Sequence, residues 1–275
     1  MLTFEELHAI VAKLNITDDI FFYKMAQDRG FCEELIQTTL SKPDIRVIKS
    51  ETEKFIRNVS SKSVRVDLLC EDSTGKHYQV EMQKADDDDH IKRVRYNASN
   101  VDTTIAETGI DYKDMPDLYM IYITKNDFLQ GNKTIYHVER RLAETGKLVY
   151  NGINEIYINT RIDDGTLIAA LMKLFKKSDH YNDLRFPKTS KQLKYLKETQ
   201  EGVNSMCDLV QDFAKEYAER YAKEYANQQV ENRNVSLAKE MLTDNEPIAK
   251  IQKYSKLTLE KVQELAKEMG KTIVA

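Results

Sequence analysis

Cysteine is rare in this chain: Cys32, Cys70 and Cys207 are the only three in 275 residues. An odd number at such wide spacing supplies neither a disulfide framework nor a zinc knuckle, and a reducing cytosol is the expected compartment. No apolar run approaches the roughly 18–20 residues that a membrane-spanning helix needs, so no membrane association is expected. The first residues, Met1-Leu-Thr-Phe-Glu-Glu6, have neither the basic start nor the apolar stretch of a secretory signal. Glycine forms no phosphate-cradling loop, and the histidines (His8, His77, His90, His137, His180) are scattered, without the paired spacing of a zinc metalloprotease.

Hydrophobic residues make up 41% of the chain and charged residues 31%, the balance of a soluble globular protein of one large or two small units. A net charge of −4 argues mildly against indiscriminate binding to nucleic acid, yet local charge matters more than the total once salt screens distant groups. Two stretches are locally basic. Residues 41–66 carry Lys42, Arg46, Lys49, Lys54, Arg57, Lys62 and Arg65, and residues 171–200 carry Lys173, Lys176, Lys177, Arg185, Lys188, Lys191, Lys194 and Lys197. Either stretch reads as solvated helix surface or as a nucleic-acid face.

The chain opens with helix signals. Thr3 and Glu6 form a capping-box pair ahead of Leu7, Ile10, Val11 and Leu14. Thr17-Asp18-Asp19 precedes a second apolar stripe, and Cys32, Leu35, Ile36 and Leu40 mark a third. After Pro43 the pattern changes to short extended pieces around Ile45, Val47 and Phe55. Val64–Cys70 and Lys76–Gln83 then alternate at period two around the turn residues Glu71–Gly75, which predicts a β-hairpin. The acidic run Asp86–Asp89 leads into a helix bearing Ile91, Val94, Ala98, Val101 and Ile105, with Gly109 as its stop.

Strands are expected at Asp117–Thr124, Thr134–Arg140 and Glu155–Asn159, and helices from Thr166 onward. Together these give a mixed α/β sheet flanked by helices and followed by an all-helical region. The expected division is a core over 1–165, a helical extension and connector over 166–234, and a small helix–turn–helix-like unit over 235–275. In the extension Phe213, Tyr217, Tyr221 and Tyr225 recur every four residues, an aromatic flank suited to packing or to a homodimer. In the last unit Lys256 stands where a turn glycine is often found.

The hairpin carries the chemistry. Residues two apart on a strand share a face, so Glu81 and Gln83 point the same way. If the pairing centres near Thr74, Asp67 lies opposite Glu81, with Cβ atoms roughly 5 Å apart. Opposed carboxylates repel, and a hard divalent cation with oxygen ligands would neutralise them. The plainer alternative is a solvated hairpin face. Magnesium, or manganese in its place, could acidify a water and offset charge on a phosphodiester, with Gln83 orienting that water or touching a phosphate.

The pattern Val64-Arg-Val-Asp67 … Gly75 … Gln79-Val-Glu81-Met-Gln83 resembles the PD-(D/E)XK nuclease core. More narrowly it resembles the PD-(D/E)XK nuclease family transposases, also called recombination-promoting nucleases, whose motif is D…ExQ. Asp19-Ile-Phe-Phe22, with Leu35 and Leu40, is similar to that family's N-terminal acidic-aromatic helix. Arg93-Val-Arg-Tyr96-Asn-Ala-Ser99 is similar to the helix after its motif strand, and Met241-Leu … Ile248 … Ile251 … Tyr254 … Leu257-Thr258 to its helical tail.

The resemblance implies a restriction-endonuclease-like fold and magnesium-dependent cleavage of DNA linked to recombination or mobile elements. It makes Asp67 and Glu81 metal ligands and Gln83 the third motif position. Asp19, with Asp18 beside it, supplies the helix acid. Arg93 and Tyr96 become phosphate contacts or braces, unless Arg93 pairs with Asp86–Asp89. Gln83 stands where the wider superfamily has lysine, Val66 replaces the proline, and Lys84 should point to the opposite face. A nuclease fold used for DNA binding or protein interaction, without cleavage, is the rival expectation.

Overall fold

The computed structural model describes residues 2–56, 64–83, 89–106 and 109–271, with backbone alone for Phe55, Arg220 and Glu224. Arg57, Lys62, Lys84 and Asp86–Asp88 lie outside the described residues. Three helices come first: α1 (Phe4–Lys13), α2 (Asp19–Ala26) and α3 (Arg29–Leu40). Thr3 and Glu6 complete the capping box of α1, Asp28 caps α3, and Ser41 ends α3 in the left-handed conformation.

Six strands follow: β1 (Val47–Ile56), β2 (Val64–Asp72), β3 (His77–Gln83), β4 (Leu118–Thr124), β5 (Ile135–Val138) and β6 (Ile153–Asn159). They form one sheet in the order β1-β2-β3-β4-β6-β5. β1, β2 and β3 run antiparallel, while β3, β4 and β6 run parallel. Every residue of β4 is buried, as a near-continuous apolar run in a covered parallel sheet should be. The crossover from β3 to β4 contains α4 (His90–Ile105). That helix ends with Ala106 in extended backbone, so Gly109 is not its stop.

The short extended pieces expected around Ile45, Val47 and Phe55 are one ten-residue strand, β1. Its polar sequence hides the alternation, and Glu53 interrupts it with a left-handed backbone, φ +50°.

Helices α5 (Leu167–Phe175), α6 (Pro187–Glu198), α7 (Gln200–Thr243), α8 (Ile248–Ser255) and α9 (Leu259–Glu268) complete the chain. The connector and the helix expected to follow it are a single stretch of the 44-residue α7. No glycine or proline stands between Gly202 and Pro247 to break it. None of the described helices is long and apolar enough to cross a membrane.

The chain divides into two compact units, Met1–Gln211 and Asp212–Ala275. In the first unit one hydrophobic cluster joins Phe21, Phe31 and Leu35 to Val80 and Ile121 of the sheet and to Leu171, Phe175 and Leu196. A second cluster packs Val94, Ala98 and Val101 of α4 on Leu69, Met120 and Tyr122. The second unit has its own core of Ala238, Leu242, Ile251, Val262 and Leu265. Lys256 adopts φ +60° between α8 and α9, and Thr258 caps α9.

Candidate active site

β2 and β3 pair with Leu68 opposite Val80 and Leu69 opposite Gln79, which is the register obtained by centring the hairpin on Thr74. The ladder closes at Leu68 and Val80, and beyond it the Asp67 and Glu81 carboxylates bond to backbone N–H groups of the facing strand instead. Asp67 Oδ2 accepts the Met82 N–H at 2.8 Å, and the Glu81 carboxylate accepts the Asp67 N–H. Each acid thus takes the place of a carbonyl partner for the facing strand. Gln79 Nε2 donates to Glu81 Oε2 at 2.9 Å from a fully buried position.

This fork is an unfavourable place for two negative charges. Burial raises the Asp67 pKa above the ordinary carboxylate range, the Met82 N–H opposes that, and the charges of Asp19 and Glu53 raise it further. Burial and the Asp67 charge raise the Glu81 pKa, against lowering by Arg93. Two carboxylates held in partial desolvation with raised proton affinity are the signature of a site kept for something other than stability.

Of the two candidate helix acids, Asp18 turns back, its Oδ2 accepting the Asn15 N–H at 2.8 Å. Asp19 is the first residue of α2, and its charge acts on Asp67. Gln83, at the end of β3, accepts a hydrogen bond through Oε1 from Arg93 Nη1 at 3.1 Å. Arg93 also pairs with Asp89 at 3.6 Å, so the two roles open for it in sequence are held together. Tyr96, one turn along α4, packs its ring against the second hydrophobic cluster.

Two neighbours escaped the sequence reading. Glu53 falls between the pairs Thr52–Leu68 and Lys54–Val66, opposite Asp67, and its carboxylate binds Arg65 at 2.7 Å. A non-glycine residue with positive φ in mid-strand carries strain, and strain of this kind gathers at functional sites. Gln79 carried a signal that went unused: by alternation it lies two residues from Glu81 on the same face.

The basic stretches are largely consumed by structure. Lys49 and Lys54 bind Glu51, Arg185 binds Asp183, and Lys188 binds Glu33. Lys197 donates to the carbonyls of Val11, Ala12 and Leu14 at the end of α1.

Among the described residues no three acidic, histidine or cysteine side chains close into a protein-only metal cage. The donor set nonetheless fits a hard divalent ion, which takes one or two carboxylates and completes its shell with water and substrate oxygens. Asp67 and Glu81 are the residues that would hold it.

The sequence model of PD-(D/E)XK nuclease family transposases matches residues 29–246. The chain belongs to this family. Comparison with curated proteins and with solved structures gives no match. Membership in this family implies a nuclease associated with mobile elements, and the mixed sheet with flanking helices agrees with the family. The matched span contains Asp67, Glu81, Gln83 and Arg93 but begins after Asp19, so the link of Asp19 to the fork rests on the effect of its charge on Asp67.

Proposed function

We propose that this protein is a divalent-metal-dependent DNA endonuclease of the transposase-associated kind. The observation that carries the reading is the fork between β2 and β3, where the Asp67 and Glu81 carboxylates come together at the end of the ladder, each held by a backbone N–H of the facing strand. Magnesium, or manganese, is the ion proposed, and when bound it would acidify a water and offset charge on a phosphoryl oxygen.

The chain's own groups divide the remaining work. Asp67 and Glu81 are the ligands, each kept in orientation by a backbone N–H of the facing strand. Gln79 fixes the Glu81 carboxylate. Asp19 adds negative charge that favours cation uptake. Gln83, with its oxygen held by Arg93, acts as a hydrogen-bond donor toward a phosphate or water. Arg93 is a positioning residue in this scheme, and Tyr96 braces α4 against the sheet. Action in the cytosol agrees with three free, buried cysteines. A homodimer, if formed, would use the exposed flank of α7, where the rings of Tyr217 and Tyr221 stack 6.5 Å apart; sedimentation of the wild type against a Tyr221→Glu variant measures this.

Plasmid nicking with magnesium tests the main reading. Wild type should nick, and Asp67→Ala and Glu81→Ala should not; equal nicking by all three removes the assignment. One observation favours the rival, a non-cleaving DNA-binding module: the neutral Gln83 supplies no cation at the third motif position. That reading predicts DNA binding with no nicking by any variant, and no carboxylate-dependent metal uptake.

A further inference from the structure

Because β3, β4 and β6 run parallel, their C-terminal ends fall side by side, with Gln83 next to Thr124 and Thr124 next to Asn159. Ligands in open α/β sheets sit outside the carboxyl ends of such strands. A cleft of about 320 Å³ lies there, lined by Thr17, Gln83, Thr124, Lys125, Thr160 and Lys176 among others, with no acidic side chain among the described residues of the lining. A larger cavity of about 580 Å³ elsewhere in the unit contains none of the fork residues. Two of its three cations are already neutralised, Lys173 by Asp163 at 3.3 Å and Arg185 by Asp183 at 2.7 Å, and both acids belong to its lining.

Lys125 and Lys176 differ from most of the other basic residues around them. Both are exposed, and neither has an ion-pair partner among the described residues. Both are also mounted on rigid elements. Lys125 follows β4 directly, its carbonyl accepting the Thr160 hydroxyl at 3.4 Å, while the Thr160 N–H binds the Thr124 carbonyl at 2.9 Å. Lys176 caps the C-terminus of α5. Two unneutralised ammonium groups and threonine side chains at one mouth select an anion. Gln83 belongs both to this cleft and to the hydrogen-bonded group around the acidic fork.

We propose that Lys125 and Lys176 form a phosphate subsite beside Gln83, which seats a backbone phosphate of the nucleic-acid strand next to the one at the acidic fork. The inference deepens the nuclease reading and rests on it for the identity of the strand. Cation at the fork and anion in the cleft then alternate along the path of a strand, and the two lysines supply in space the positive charge that Gln83 does not.

Salt-dependent DNA binding tests it, measured by fluorescence anisotropy on the full chain carrying Asp67→Ala so that cleavage plays no part. Each Lys→Gln change should lower the slope of log affinity against log salt by about 1, and the Lys125→Gln/Lys176→Gln pair by about 2. Lys→Arg at both positions should keep the parent slope, and circular dichroism should show all variants equally folded.

An unchanged slope in the double Gln variant, or no DNA binding by the parent, overturns the subsite. Inorganic phosphate is the second probe: saturable, lysine-dependent phosphate uptake with an unchanged DNA slope would mean a small-anion site and would also overturn it. Failure of the nuclease reading looks different. A lysine-dependent slope in a chain whose wild type never nicks keeps the subsite and removes the nuclease, while nicking by a wild type with a lysine-independent slope does the reverse.

Discussion

The two ends of the β2–β3 hairpin treat a carboxylate in opposite ways. At the turn, Asp72 accepts hydrogen bonds from the Thr74 N–H and hydroxyl at 2.7 Å, from the Lys76 N–H at 3.1 Å and from the Tyr78 hydroxyl at 2.7 Å. These bonds outweigh burial and hold its pKa below the ordinary carboxylate range. At the fork, Asp67 and Glu81 are held by few hydrogen bonds, face each other, and are pushed the other way. The same strands therefore carry one acid that builds the fold and two that burden it. Burial alone does not distinguish them; the count and sign of their partners does.

Breaking the structural end should cost most. Asp72→Ala removes the turn's acceptor and leaves the buried Tyr78 hydroxyl unpaired, a loss of about 3 kcal/mol in urea unfolding, with DNA nicking per folded molecule retained. Gly75→Ala should cost about 1–2 kcal/mol, because Gly75 sits at φ +80° with nothing within 4 Å of an added Cβ, so the penalty is conformational. At the fork the sign reverses. Glu81→Gln should stabilise the metal-free protein by about 1 kcal/mol at neutral pH, by removing a carboxylate whose burial and facing Asp67 disfavour its charge.

The pH profile sharpens the same contrast. A raised folded pKa gives stability that is full in acid and lost as pH rises through the folded value, so the advantage of metal-free Glu81→Gln over wild type should grow from acid toward neutral pH. Asp72, with its pKa lowered, contributes above the ordinary carboxylate value and loses that contribution as pH falls through the folded one. Unfolding midpoints of wild type, Asp72→Asn and Glu81→Gln across pH should therefore diverge in opposite directions. Parallel profiles would mean that the two ends do not differ as described.

Much of this contrast was readable in the chain. Turn chemistry at Glu71–Gly75 and alternation on both sides set the register that opposes Asp67 and Glu81, because a slip of one residue would turn every side chain to the wrong face. The capping box of Thr3 and Glu6 located a helix start for the same local reason. Glu53 was not readable: its importance comes from a left-handed kink in a polar strand, with no residue-type signal. That Lys125 and Lys176 line one cleft was hidden too, since the two are 51 positions apart in the sequence and come to it from the end of β4 and the end of α5. Nor could charge counting separate Lys176 from Lys197, which is spent on the end of α1.

Calorimetric titration of the metal-free chain with manganese addresses the fork most directly. The account predicts one saturable ion in wild type and in Asp72→Asn, and none in Asp67→Asn or Glu81→Gln. Equal uptake by wild type and Asp67→Asn would contradict it.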